Sequence, residues 1–121
     1  MQVLVLGASG YIGTHLVPEL VAAGHQVRAA ARNPVVLVAR NWPGVDCVQA
    51  DVRQPETLNI ALDGIEVVYY LVHSMGSGRA FPRLDREGAR NLRRAAERAR
   101  VQRIIYLGGI QPPGEGSVHL E

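Results

Sequence analysis

Gly7-Ala8-Ser9-Gly10-Tyr11-Ile12-Gly13 is the stretch on which this sequence turns. Residues 2–6, directly before it, are short, apolar and rich in leucine and valine, the mark of a buried strand. Residues 11–23, directly after, carry Ile12, Leu16, Leu20 and Ala23 at three- and four-residue spacing, the mark of an amphipathic helix, and Gly24 stops it. A G-x-x-G-x-x-G string alone says little. Between a strand and a helix it is the arrangement that holds a dinucleotide pyrophosphate. Gly7 permits the tight turn, Gly10 leaves room for a phosphate against the backbone, and Gly13 lets the helix lie close to the strand. The helix N-terminus then presents free N–H groups and a partial positive charge to the phosphates, and Ser9 adds a hydroxyl donor. Pro18 falls inside the helical pattern and predicts a kink or local adjustment.

Outward from this motif the pattern alternates. Residues 26–31, 45–50, 65–72 and 103–107 read as further strands, with short helical segments at 34–40 and 55–62 between them. The run 65–72 is apolar throughout after Glu66, as suits the centre of a parallel sheet covered on both faces. Residues 81–100 give the longest helix, with Leu84, Gly88, Leu92, Ala95, Ala96 and Ala99 as a stripe of mostly small residues. Strand–helix alternation predicts right-handed crossovers. The expected fold is α/β: a Rossmann-type, doubly wound parallel sheet in strand order 3-2-1-4-5, in three α/β/α layers and truncated after strand 5. A ligand then sits at the carboxyl ends, beside strands 1 and 4. Residues 111–121, with two prolines and two glycines, read as a loop-like tail of a single domain spanning 1–121.

Composition narrows the function. A length of 121 residues, 47% hydrophobic and 20% charged, is one ordinary globular domain, which excludes a disordered spacer. The longest uncharged stretch, residues 1–18, contains three glycines and several polar side chains; it predicts neither a membrane span nor a secretory signal. Cys47, the one cysteine, excludes an internal disulfide and a cysteine-built metal site, and fits a cytoplasmic location. No metal site is expected. Every one of the 13 basic residues is arginine. A mechanism that needs lysine, such as a Schiff base or a Walker phosphate loop, has no residue for it in these 121. Nine arginines lie between residues 79 and 103 against Asp85, Glu87 and Glu97. Without interleaved aromatics, and with an apolar opposite face, they read as one solvated helix face rather than a nucleic-acid surface.

The end of the second strand sets the choice of cofactor. An NAD site places an acid there for the ribose hydroxyls, but no Asp or Glu stands between Glu19 and Asp46. Ala31 occupies the acid's place, followed by Arg32, whose guanidinium can grip a 2′-phosphate. NADP is therefore expected over NAD. Arg28, nearer the strand's start, is the weaker candidate, and Asn33 can assist. Asp51-Val52 follows the third strand: either they meet the adenine, the aspartate at its exocyclic amine and the valine on its face, or Asp51 is a turn residue. Leu71-Val72-His73-Ser74-Met75-Gly76 opens onto the same edge and runs past the ribose and nicotinamide. His73 is either a proton donor or a histidine bonded for structure.

At these residues the chain resembles the short-chain dehydrogenase/reductase superfamily in its extended and atypical branches, which include nucleoside-diphosphate-sugar epimerase-like NAD(P)H-binding proteins. The resemblance runs from Met1 to about Pro112. It rests on the glycine motif, Ala31-Arg32-Asn33-Pro34, Asp51-Val52, the string after the fourth strand, the helix over 85–96 with Asn91 near its middle, and residues 103–109. It implies cofactor contacts at Gly7, Ser9, Gly10, Tyr11, Ile12, Gly13, Arg32, Asp51, Val52, Leu71, Val72 and His73. Family enzymes also use a tyrosine with a lysine four residues on, and a serine or threonine after the fifth strand. This chain has no lysine and carries Gly108-Gly109 at the latter place, so no catalytic residue is assigned. The expectation is the dinucleotide-binding fragment of an NADP-dependent reductase or epimerase-like protein acting on an unidentified small molecule. The alternative is a non-catalytic NAD(P)H-binding sensor or structural module. Neither nucleic acid nor a membrane is an expected partner. Truncation after the fifth strand is expected to bare apolar surface near Ile104, Tyr106 and Ile110, which predicts self-association or modest stability.

Overall fold

The computed structural model describes residues 1–71, 82–107 and 117–119, with side chains for all of these but 82–85 and 117–119. Chain order is β1 (Gln2–Leu6), α1 (Tyr11–Ala22), β2 (Gln26–Ala31), α2 (Pro34–Val38), β3 (Asp46–Gln49), α3 (Pro55–Ala61), β4 (Val67–Leu71), α4 (Pro82–Ala99), β5 (Arg103–Leu107) and β6 (Ser117–His119). The sheet runs β3-β2-β1-β4-β5-β6. The first five strands are parallel, in the expected order, with β1 at the centre between β2 and β4.

Side chains alternate across each strand, and the two faces bury separate cores. Leu4, Leu6, Val68, Tyr70 and Ile104 face α3 and α4, packing on Leu58, Leu62, Leu92, Ala95 and Ala96. Val3, Val5, Val27, Ala29 and Leu71 face α1 and α2, packing on Val17, Leu20 and Leu37. These are the expected three layers. The small-residue stripe of α4 is buried at Gly88, Leu92, Ala95 and Ala96. Its opposite face carries exposed Arg86, Arg90, Arg93, Arg94 and Arg98. Arg93 pairs with Glu97 at 3.7 Å, and Arg98 donates to Asn59 Oδ1 at 3.0 Å.

Three expectations are corrected. Residues 117–119 form β6, antiparallel to β5, with Val118 opposite Ile104; the tail is not loop throughout. Three residues are too few to show an alternation in sequence, whereas the unpaired N–H and C=O groups along β5 are a template for them. Ile104, expected on bare surface, is fully buried, and Tyr106 is half-buried against the α3/α4 core; Ile110 lies outside the described residues. The buried face of α1 is Gly13, Val17 and Leu20, while Ile12 and Ala23 are exposed. Contact between Gly13 and the preceding loop sets the rotation of the helix, and hydrophobicity alone points elsewhere. Helix α1 runs from Tyr11 to Ala22 through Pro18, whose ring sits on the exposed face.

Candidate cofactor site

Parallel pairing puts the carboxyl ends of β1, β2, β3 and β4 on one edge, and the glycine loop leaves from the central one. Gly7 N and Ala8 N both donate to Ala30 O, at 2.8 and 3.0 Å, which ties the loop to β2. Gly7 has φ +89°, and a Cβ there would lie 2.8 Å from Leu71 O. Conformation and space both demand glycine. A Cβ on Gly13 would overlap the Ala8 carbonyl and come within 2.6 Å of Ala8 Cα. The close approach that Gly13 permits is thus helix to loop. Gly10 is the N-cap of α1 with extended backbone (φ −83°, ψ −177°) and supplies no side-chain cap, and the first turn holds no acid. The N–H groups of Tyr11, Ile12 and Gly13 therefore have no intrahelical acceptor. They open, with the positive end of the helix dipole, onto the loop.

Around this mouth stand the other candidates. Ser9 is exposed, and its hydroxyl makes no bond among the described residues. Tyr11 is 80% exposed, its ring 4.4 Å from that of His15. Ile12 is also exposed. Arg32, one residue past β2, is exposed and makes no hydrogen bond or ion pair among the described residues. Asn33 is committed to capping α2, its Oδ1 accepting from Val35 N at 3.1 Å. Arg28 is committed as well: its Nη1 donates to Ala61 O at 2.8 Å and Asp63 O at 2.9 Å. These bonds tie Arg28 to the carboxyl end of α3. Arg28→Ala is expected to lower stability by about 1.5 kcal/mol in thermal unfolding, with the NADPH:NADH affinity ratio unchanged; a changed ratio would return Arg28 to the site.

Asp51 heads a tight turn. Its N–H donates to Thr57 Oγ1 at 2.9 Å, and its Oδ1 accepts from Arg53 N at 2.9 Å and Arg53 Nε at 3.4 Å. The turn role is real, and it consumes one carboxylate oxygen; Oδ2 makes no bond among the described residues. Val52 is half-buried against α4, its carbonyl accepting from Asn91 Nδ2 at 2.8 Å. The Leu71 side chain is buried in the α1/α2 core, so Leu71 meets the loop through its carbonyl, which faces Gly7. Val72 and His73 lie outside the described residues.

One neighbour escaped the sequence reading. Arg40, two residues past α2, donates from Nη2 to Ser9 O at 3.3 Å. Helix α2 is only five residues long, so the chain turns back early and returns a second guanidinium to the glycine loop. The signal in the sequence was a second arginine eight positions after Arg32 with no acid between.

Other features lie off this site. A groove of about 310 Å³, lined by Val3, Val67, Tyr69 and Ile105 with His25 and Arg103, opens toward the amino ends of β1, β4 and β5. Burial, and then the neighbouring Asp46, push the Cys47 thiol above its ordinary pKa, away from thiolate chemistry. Among the described residues no cluster of three or more His, Cys, Asp or Glu could hold a metal, and no helix is long and apolar enough to cross a membrane.

Sheet order, glycine loop and open helix mouth define a dinucleotide-binding domain, and comparison with known proteins places it. A family profile described as NAD(P)H-binding matches residues 7–117, and the chain belongs to that family. It is 33% identical over 116 residues to the 3 beta-hydroxysteroid dehydrogenase/Delta 5→4-isomerase of Mycobacterium tuberculosis, covering 87% of this chain and 30% of that protein. Among solved structures it resembles the Citrobacter triphenylmethane reductase complexed with NADP(H) (TM-score 0.73, 28% identity, 88% of this chain and 36% of that one). It also resembles the NADPH-dependent quinone oxidoreductase of Escherichia coli complexed with NADPH (TM-score 0.69, 30% identity, 86% and 35%). The chain thus spans about a third of the length of each. The resemblance to the short-chain dehydrogenase/reductase superfamily is borne out, and the chain is an NAD(P)H-binding domain of the kind reductases and dehydrogenases carry.

Proposed function

We propose that this chain is the cofactor-holding part of a reductase or dehydrogenase that uses NADP(H) in preference to NAD(H). The observation that carries the preference is Arg32: exposed, unpaired among the described residues, and directly after Ala31, which takes the place where an NAD site keeps an acid. Arg40, held beside Ser9, adds a second positive charge to the same mouth. Both solved relatives named above are complexes with the phosphorylated cofactor.

In this reading the pyrophosphate lies against the open N–H groups of Tyr11, Ile12 and Gly13, with Gly7 and Gly10 leaving it room and the Ser9 hydroxyl donating to it. Arg32 holds the 2′-phosphate. Asp51 accepts from the adenine amine through Oδ2, and Val52 covers a face of the ring. Leu71, Val72 and His73 line the path toward the nicotinamide. The bound cofactor supplies a hydride at its nicotinamide ring. These residues bind and orient it, and the remainder of the active site is supplied by other segments. A second reading, a non-catalytic NAD(P)H sensor or structural module, is favoured by one feature: Gly108-Gly109 stands where family enzymes carry a hydroxyl.

Thermal unfolding with NADP⁺ or NAD⁺ tests the preference. A ligand at 100 times its Kd stabilises by about 2.7 kcal/mol, so NADP⁺ is expected to raise Tm at concentrations where NAD⁺ leaves it unmoved. Equal shifts would remove the preference, and no shift with either would remove the binding.

A further inference from the structure

We propose that Gly88 and Asn91 of α4 are positioning residues for the adenine end of the cofactor site. The inference rests on the assignment of Asp51 and Val52 to the adenine. The Asp51 turn is braced from within by Thr57 and Arg53, but nothing in that bracing fixes how far the turn stands from the sheet edge. Helix α4 does. Asn91 Nδ2 donates to Val52 O at 2.8 Å, joining residues 39 positions apart. One turn earlier, Gly88 lies on the same side of the helix. A Cβ there would come within 2.6 Å of Val52 Cγ2 and 3.2 Å of Val52 Cβ. Valine is branched at Cβ and stiff about χ1, so it has no cheap rotation away from such a contact.

The choice of residues points the same way. Glycine and asparagine are poor helix formers, yet both stand in the interior of an 18-residue helix and both meet Val52. An alanine at either position would serve the helix better. Gly88 lets the helix close onto Val52, and Asn91 fixes the Val52 carbonyl at that distance. Together they set the depth of the turn from which the Asp51 carboxylate reaches the base. Neither residue touches the cofactor.

The test uses three ligands with the 121-residue chain: NADPH, NADH, and the hypoxanthine analogue of NADPH, which lacks the exocyclic amine. The wild-type chain is expected to prefer NADPH over both. Asn91→Ala removes the donor while favouring the helix. It should weaken NADPH by about tenfold, the loss of roughly one well-placed hydrogen bond, and should abolish the preference for adenine over hypoxanthine. The preference for NADPH over NADH, set at Arg32, should stay. Gly88→Ala should do the same by displacing Val52 rather than by losing a bond. A purely structural role would weaken all three ligands by one factor and keep both preferences; that result, in two variants shown to be folded by circular dichroism, overturns the inference alone. A wild-type chain that binds NADPH without distinguishing the base overturns it together with the Asp51 assignment. A wild-type chain that binds no dinucleotide overturns the functional reading itself.

Discussion

Gly13→Ala is expected to destabilise the domain by about 3 kcal/mol or more, lowering Tm by about 10 °C or more in a domain of this size. The added Cβ would lie 2.6 Å from Ala8 Cα and closer still to the Ala8 carbonyl. Both are backbone atoms, so no side chain can swing aside. Relief requires α1 to lift off the glycine loop. That movement pulls Val17 and Leu20 from the core they share with Val3 and Val5, and carries the open N–H groups of the first turn away from the phosphate position. Stability and cofactor affinity should therefore fall together. Gly24 is the control: it has φ +94°, but a Cβ there would meet nothing within 4 Å. Gly24→Ala meets only the backbone cost of a left-handed alanine, about 1 kcal/mol. Thermal unfolding by circular dichroism reads both. A Gly13→Ala protein that melts no lower than Gly24→Ala would show that the helix-to-loop contact is not what holds α1 in place.

Arg32→Ala is expected to weaken NADPH by about 1.5–3 kcal/mol, or roughly 10- to 150-fold, and NADH hardly at all. The reason is local. Arg32 is exposed and makes no bond among the described residues, so its removal leaves nothing buried unpaired and does not disturb the fold. The effect is confined to what the guanidinium touches when ligand is bound. A phosphate is the group best matched to its fork of donors. Arg40 keeps some positive charge nearby, at the cost of its bond to Ser9 O, so Arg32→Ala should leave measurable NADPH binding. Equal weakening of NADPH and NADH would take Arg32 out of the phosphate role.

Much of the fold was legible because buried parallel strands are apolar runs bounded by glycine and polar residues. Residues 26–31 and 103–107 were read to the residue, and the strand order followed from helix–strand alternation. Legibility failed where a contact between distant segments outweighs local pattern. The face of α1 is set by Gly13 on Ala8, so Ile12 and Ala23 turn outward although they fit the apolar spacing. The strand β6 exists because β5 offers it an edge. In the site the same division holds. The glycine loop announces itself because a phosphate cradle needs particular glycines at particular spacing. Arg28 and Arg32 look alike in sequence, four residues apart on and after one strand. The fold shows Arg28 drawn to the carboxyl end of α3, while Arg32 stays exposed and makes no bond among the described residues. Asn91, read as one feature of a helix, reaches Val52 across 39 residues, and no local pattern announces such a bond.

That the loop Gly7–Gly13 and Arg32 together form an NADP(H) site is tested most directly by calorimetric titration of the 121-residue chain with NADPH and, separately, with NADH. Saturable 1:1 binding of NADPH, tighter than NADH by about tenfold or more, the worth of one charged hydrogen bond, is the predicted result. NADH binding as tight as NADPH, or no heat from either, would contradict it.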